Sequence, residues 1–141
     1  MKLLTIISGL PGSGKTTLAH TIAVYPTGNA AVCEADSFFY VDGVYKFDPS
    51  KLGVAHQICQ DKVENLMRKG GPVIVSNTSL SLKEILPYQL LAAQYGYKIQ
   101  WIGMFSSPFE SLHNIPEYTF ERMKTKFSGL LNEIAKLIKG N

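Results

Sequence analysis

The chain has 141 residues, of which 45% are hydrophobic and 18% charged, with 12 glycines and 7 prolines. This length and composition fit one globular domain that buries roughly two-thirds of its unfolded surface, and they exclude a disordered chain, a collagen-like chain and a pair of independent domains. The formal net charge of +3 permits contact with anions without requiring a nucleic-acid groove.

Cysteine content and hydropathy predict the compartment. Cys33 and Cys59 are too few for a disulfide framework and are predicted to be buried thiols in a reducing environment. Residues 1–9 lack the cleavage site of a signal peptide, and no stretch approaches the roughly 20 apolar residues of a membrane span. We therefore expect a soluble, cytoplasmic protein without a membrane partner.

The first half of the chain predicts two strands, two helices and a hairpin. An apolar run at 3–7 predicts a strand buried on both faces, and helical spacing of apolar residues at 18–23 predicts a helix that ends before Pro26. Further along are a strand at 30–35, a hairpin at 38–49 around Asp42-Gly43, and a helix at 50–69 that ends at Gly70-Gly71.

The second half continues the alternation. Residues 73–75 predict a strand, and capping-box spacing at Ser81 predicts a helix to Gly96, in which Pro87 either causes a kink or marks the true first turn. A strand at 97–105, a loop at 106–116 and an amphipathic helix at 117–138 complete the chain.

This alternation predicts an α/β fold of three layers, with a short parallel sheet flanked by helices on both faces and right-handed crossovers. Residues 1–141 are predicted to form one such domain. Ligands of these sheets bind beyond the carboxyl ends of the strands. Four residues lie at those predicted ends: Gly9, Asp36, Asn77 and Phe105.

A glycine-rich motif follows the first predicted strand. Residues 9–16 read Gly-Leu-Pro-Gly-Ser-Gly-Lys-Thr and match G-x-x-x-x-G-K-[ST] at every fixed position. In such a loop the backbone N–H groups turn inward and the helix N-terminus adds partial positive charge, so the cavity fits the polyphosphate of a nucleotide. Lys15 is predicted to reach the terminal phosphates, and the Thr16 hydroxyl to bind Mg²⁺.

Asp36 lies at the end of the second predicted strand. One interpretation is that its carboxylate orients and deprotonates an acceptor hydroxyl in line with the terminal phosphate. The other is that it accepts hydrogen bonds from local backbone N–H groups in a turn. The spacing alone leaves both open.

Several motifs together resemble the polynucleotide-kinase-like P-loop kinases, which include the kinase-like domains of NEDD4-binding protein 2-like proteins. The motifs are residues 10–17, Ala35-Asp36-Ser37-Phe38-Phe39, residues 73–78, and His113-Asn114-Ile115-Pro116. The resemblance implies a kinase-type sheet, ATP with Mg²⁺ in the loop, Asp36 as the acceptor-side base, and a lid at about 106–122. The implied nucleotide-binding residues are Gly9, Gly12, Ser13, Gly14, Lys15, Thr16 and Thr17.

The chain departs from the family pattern in two places. Relatives have an Asp where this chain has Ser76 or Asn77, so the acidic group that supports Mg²⁺ is missing. Asn77 and Thr78 either hold a metal-bound water or a substrate group or form a turn before the next helix. The lid contains Glu110 where relatives are basic, so Arg122 or His113 is left to offset charge on the transferring phosphoryl group. Arg122 is equally compatible with a solvated residue that pairs with a neighbouring carboxylate.

The expected function is an ATP-dependent phosphotransferase with Lys15, Asp36 and Arg122 as catalytic residues. Its acceptor would be a hydroxyl on a polynucleotide 5′ end or on a nucleotide-like small molecule. The last helix is net basic, and the aromatic hairpin offers surfaces for a base. A basic helix is more often a solvated face, however, and packing of the hairpin onto the second predicted helix is the default interpretation. The alternative is a nucleotide-binding module or slow ATPase that acts through a partner.

Overall fold

The computed structural model describes residues 1–10, 13–24, 30–78, 81–104 and 117–139. In chain order the elements are β1 (Leu3–Gly9), α1 (Lys15–Val24), β2 (Ala31–Cys33), β3 (Tyr40–Val41), β4 (Val44–Tyr45), α2 (Leu52–Lys69), β5 (Val73–Asn77), α3 (Leu82–Tyr95), β6 (Lys98–Met104) and α4 (Glu117–Lys139). Short 3₁₀ turns at Ala35–Phe39 and Pro49–Lys51 precede the hairpin and α2.

Four strands form one parallel sheet in the order β2-β5-β1-β6. The two central strands are the most buried: all five residues of β5 are buried, as are all of β1 beyond Leu3. This burial follows from the continuous hydrophobic runs in the sequence, which suit a strand covered on both faces. The predicted α/β fold with a helix-flanked parallel sheet is confirmed.

The two faces of the sheet carry separate hydrophobic cores. Alternate residues of β1 point to opposite faces, so Leu4 and Ile6 join the larger core and Ile7 the smaller. The larger core contains buried residues of α2, α3 and α4, whereas the smaller one is built around Ala19 of α1. Cys33 and Cys59 are buried, as predicted.

Several element boundaries differ from the sequence prediction. The second strand stops at Cys33 instead of Ala35, because the backbone N–H of Ala35 donates to the Asn77 side chain and the chain turns into a 3₁₀ helix. Strand β5, predicted at residues 73–75, extends to Asn77, two residues beyond its predicted end. The helix predicted from Ser50 begins at Leu52, since Pro49–Lys51 forms a 3₁₀ turn in which Asp48 accepts from the Ser50 N–H.

Pro87 lies inside α3, so the prediction that it marks the first turn is wrong. Proline lacks the N–H that would bond to the carbonyl four residues earlier, at Lys83. Lys83 is exposed, so water can take the place of that bond, while Ile85 and Tyr88 anchor the helix in the core. Within the described part of the chain, no helix combines the length and apolar character needed to cross a membrane.

Candidate functional site

The loop after β1 is shaped by contacts that only glycine permits. A Cβ on Gly9 would lie 2.8 Å from the Ser13 Oγ and 2.9 Å from the Met104 carbonyl oxygen. Gly14 has a φ of 93°, in the left-handed region that disfavours other residues. The Ser13 N–H donates to the Leu10 carbonyl at 3.1 Å, and helix α1 begins at Lys15. Gly12 lies outside the described residues.

Lys15 is partly buried at the start of α1, and its Nζ donates to the Leu10 carbonyl at 3.0 Å. Burial lowers the pKa of Lys15 to about 8, while the negative charges of Asp36 and Glu34 act in the opposite direction. The negative charge of Asp36 thus acts on Lys15, and the catalytic roles predicted for these two residues stay predictions. Thr16 and Thr17 follow on the exposed side of the first turn.

Asp36 lies in the 3₁₀ turn that follows β2. The Tyr45 hydroxyl of the hairpin donates to the Asp36 Oδ1 at 3.5 Å. Burial and the nearby Asp36 charge raise the pKa of Tyr45 to about 12, so this hydroxyl stays protonated and able to donate. Asp36 thus accepts a hydrogen bond from the hairpin, and its charge also acts on Lys15 at the start of α1.

Asn77 is buried in β5 and holds the segment before Asp36. Its Oδ1 accepts from the Ala35 backbone N–H at 2.8 Å, and its Nδ2 lies 3.4 Å from the Tyr88 hydroxyl and 3.7 Å from the Cys59 Sγ. The prediction that Asn77 forms a turn before the next helix is therefore wrong. The side chain links β5 to the start of the 3₁₀ turn that carries Asp36.

Glu34 is a site residue that the sequence reasoning missed. Burial raises its pKa, and contact with the Thr16 side chain and the charges of His20 and Lys15 partly oppose that effect. Its Oε1 is buried and has no hydrogen-bond partner among the described residues. The available signal was a carboxylate that interrupts the apolar pattern of the second predicted strand, two residues before Asp36.

Two further buried hydroxyls at this end of the sheet, the Oγ atoms of Ser13 and Ser76, have no partner among the residues that the structure describes. Mg²⁺ prefers oxygen ligands and is usually bound by one or two carboxylates together with waters and substrate phosphates. The described residues contain no group of three or more His, Cys, Asp or Glu that would enclose a metal on their own. The Thr16 hydroxyl and the unpartnered Glu34 oxygen fit a Mg²⁺ ion that arrives with a nucleotide.

The predicted lid falls largely outside the described residues, as do His113 and Phe105. Arg122 is described and is exposed near the start of α4. Phe127 and Leu130 anchor this helix in the larger core. The catalytic role predicted for Arg122 stays a prediction.

The hairpin β3-β4 forms with Asp42-Gly43 as its turn, as predicted. Its aromatic rings pack together, with ring centroids 5.0 Å apart for Phe39 and Phe47 and 5.2 Å apart for Tyr40 and Tyr45. An open groove of about 590 Å³ lies beside the hairpin, lined by Phe38, Phe39, Val41, Lys46, Phe47, Asp48, Pro49 and Lys51. Phe39 is buried in the core, whereas Phe47 remains 49% exposed and available to a ligand.

The parallel sheet and the glycine loop leading into α1 define a P-loop, kinase-like ATP-binding domain. A family model described as AAA domain matches residues 4–117. The chain belongs to this family of P-loop domains.

Human (Homo sapiens) NEDD4-binding protein 2 is 38% identical over 99 residues, which is 69% of this chain and 6% of that protein. The chain therefore spans a small part of this relative's length. The resemblance found in the sequence is confirmed.

Solved structures share the fold at lower identity. A chain of the Pnkp1/Rnl/Hen1 RNA repair complex aligns with a TM-score of 0.72 and 18% identity over 92% of this chain and 45% of that one. The APS kinase CysC of Mycobacterium tuberculosis aligns with a TM-score of 0.58 and 16% identity over 92% of this chain and 96% of that one. At these identities the likeness concerns the fold.

Proposed function

We propose that the protein is an ATP-dependent phosphotransferase that moves the terminal phosphate of ATP to a hydroxyl acceptor. The observation that carries the proposal is that Lys15, after the phosphate loop, and Asp36, after β2, lie at the same edge of the parallel sheet, where the negative charge of Asp36 acts on Lys15. A cation for the terminal phosphate and a carboxylate for the acceptor proton are the two groups that in-line phosphoryl transfer needs side by side.

Each side chain then has a distinct role. Lys15 and the loop N–H groups bind the phosphates, and Thr16 supplies a hydroxyl ligand to Mg²⁺, which neutralises charge that develops on the phosphoryl oxygens. Asp36 accepts the proton of the attacking hydroxyl and is oriented by the Tyr45 hydroxyl. Arg122, exposed near the start of α4, supplies positive charge to the transferring phosphoryl group.

The groove beside the hairpin supports a proposal for the class of acceptor. Phe38 and Phe47 offer faces on which a base can stack, and Lys46 and Lys51 add positive charge for a phosphate-bearing acceptor. The two structural relatives bear names that refer to RNA repair and to APS, respectively. We propose a polynucleotide 5′ end or a nucleotide-like small molecule as the acceptor.

The test is transfer of label from terminally labelled ATP to three acceptors: RNA and DNA oligonucleotides with 5′ hydroxyls, and a nucleotide with free ribose hydroxyls. Asp36→Asn is expected to slow transfer about 100-fold or more, because loss of a general base has effects of that size, while nucleotide binding stays within a few-fold. Asp61→Asn is the matched control, since Asp61 is an exposed acid on α2 that pairs with Gln57. Undiminished transfer by Asp36→Asn would remove Asp36 from the mechanism.

A second candidate function is a nucleotide-binding module or slow ATPase that acts through a partner. It is favoured by the absence of a charged side chain at positions 76 and 77, where Asn77 is engaged in holding Ala35. For this function we expect the protein to bind ATP with Mg²⁺ and to transfer no label to any acceptor in the assay above. Rapid acceptor phosphorylation by the wild-type protein would exclude it.

A further inference from the structure

Glu34 occupies a defined place relative to its neighbours. Strand β2 pairs with β5 through Val32 opposite Ile74 and Cys33 opposite Val75. One step further along the same register places Glu34 beside Ser76. Val32 and Ile74 face the smaller core around α1, and side chains two residues apart share a face. Glu34 and Ser76 are therefore directed to the face that α1 covers.

The same face carries the first turn of α1. The Thr16 side chain and the charges of Lys15 and His20 all act on the Glu34 carboxylate. Within the part of the chain that the structure describes, the Glu34 Oε1 and the Ser76 Oγ are both buried without hydrogen-bond partners. A buried polar atom without a partner is costly, and a carboxylate oxygen in that condition is a suitable ligand for a cation or its bound water.

We propose that Glu34 is the carboxylate that holds the Mg²⁺ ion of the bound nucleotide, together with the Thr16 hydroxyl, with Ser76 hydrogen-bonding to a water of the ion. This inference rests on the proposed nucleotide binding but not on phosphoryl transfer. It places the metal-binding carboxylate directly after β2, whereas the family pattern predicts an acidic residue at position 76 or 77. Asp36 is then left for the acceptor.

The main competing explanation is that Glu34 only balances the charge of Lys15. The two explanations differ in how the effect of Glu34 on nucleotide affinity depends on Mg²⁺. A carboxylate that holds the ion strengthens nucleotide binding only when Mg²⁺ is present, because without the ion it only repels the phosphates. A carboxylate that positions Lys15 affects nucleotide affinity equally with and without the ion.

The test is calorimetric titration of ADP into the full chain with and without Mg²⁺, comparing wild type with Glu34→Gln, which keeps the shape and removes the charge. We expect the factor by which Mg²⁺ tightens binding to fall about tenfold or more in the variant, a loss typical of groups that support a bound metal. Affinity without Mg²⁺ should stay equal or rise. Glu133→Gln, an exposed residue of α4, is the matched control and should behave as wild type.

A second readout follows the metal itself. Mn²⁺ replaces Mg²⁺, and its electron paramagnetic resonance signal reports free ion in the presence of saturating ADP. We expect Thr16→Ala and Glu34→Gln to release Mn²⁺ to a similar extent. If Glu34→Gln does not fold, Glu34→Asp replaces it, because a shortened carboxylate should weaken the ion's binding while keeping its charge.

The outcomes separate the two proposals. An unchanged Mg²⁺ effect in Glu34→Gln, or an equal loss of affinity with and without the ion, overturns the role of Glu34. Wild-type protein that binds ADP with Mg²⁺ but transfers no phosphate leaves Glu34 assigned and overturns the phosphotransferase. Wild-type protein that binds no nucleotide overturns both.

Discussion

Lys15 carries its charge in a partly buried position, where it is held by one backbone carbonyl and faces two carboxylates. Burial disfavours the ammonium form, and Asp36 and Glu34 only partly offset this effect, so the pKa falls to about 8. Phosphates that enter the loop would add negative charge close to Lys15 and raise its pKa. Nucleotide binding is therefore linked to the protonation of this residue.

The linkage predicts a pH dependence of nucleotide affinity. Binding favours protonated Lys15, so affinity is full below pH 8 and should fall up to about tenfold per pH unit as pH rises through that value. Lys15→Arg keeps its charge at every pH of the experiment and should show a flat profile. Calorimetry of ADP binding between pH 7 and 9.5 measures both. An identical decline in the two proteins would place the titrating group elsewhere.

At the scale of elements, the turn between β1 and α1 is fixed by the space around Gly9. The Ser13 Oγ and the Met104 carbonyl close on this position from two sides, and the Gly9 N–H donates to the Thr78 carbonyl at 3.2 Å. Gly129 is the opposite case, since a Cβ there would meet nothing within 4 Å in the middle of α4. Substitution by alanine should therefore change the stability of the protein in opposite directions at the two glycines.

Gly9→Ala is expected to destabilise the protein by about 1–3 kcal/mol and to weaken nucleotide binding, because the added methyl group forces the loop away from β6. Gly129→Ala should stabilise it by roughly 0.5–1 kcal/mol, since alanine lowers the entropic cost of forming the helix. Urea unfolding followed by circular dichroism gives both values. Equal stability of Gly9→Ala and wild type would show that the loop tolerates a side chain at Gly9.

At the scale of the whole molecule, the sequence predicted what depends on local pattern. The run of apolar residues in β1, the glycine motif and the start of α1 are contiguous, so their order and chemistry were visible without the fold. The contacts of Asn77 with Ala35 and of Glu34 with Thr16 join residues far apart in the chain. They follow from the order and register of β2 and β5, which no local pattern specifies.

The same reasoning explains the errors. Ser76 and Asn77 were expected after a strand because the apolar run ends at Val75, yet β5 continues through both polar residues. Their strand neighbours bury them: Ile7 lies opposite Ser76 and Ser8 opposite Asn77. Asn77 could thus turn toward α2 and α3 and reach Ala35, while Ser76 turned toward α1.

The central claim is that residues 9–17 bind the phosphates of a nucleotide through the loop and Lys15. Calorimetric titration of ATP with Mg²⁺ into wild type, Lys15→Ala and the exposed-lysine control Lys83→Ala measures it most directly. We predict saturable one-to-one binding by wild type and Lys83→Ala, and a loss of affinity of at least about 30-fold in Lys15→Ala, about 2 kcal/mol for a charge-assisted contact. Equal binding by all three proteins, or no binding by wild type, would contradict the account.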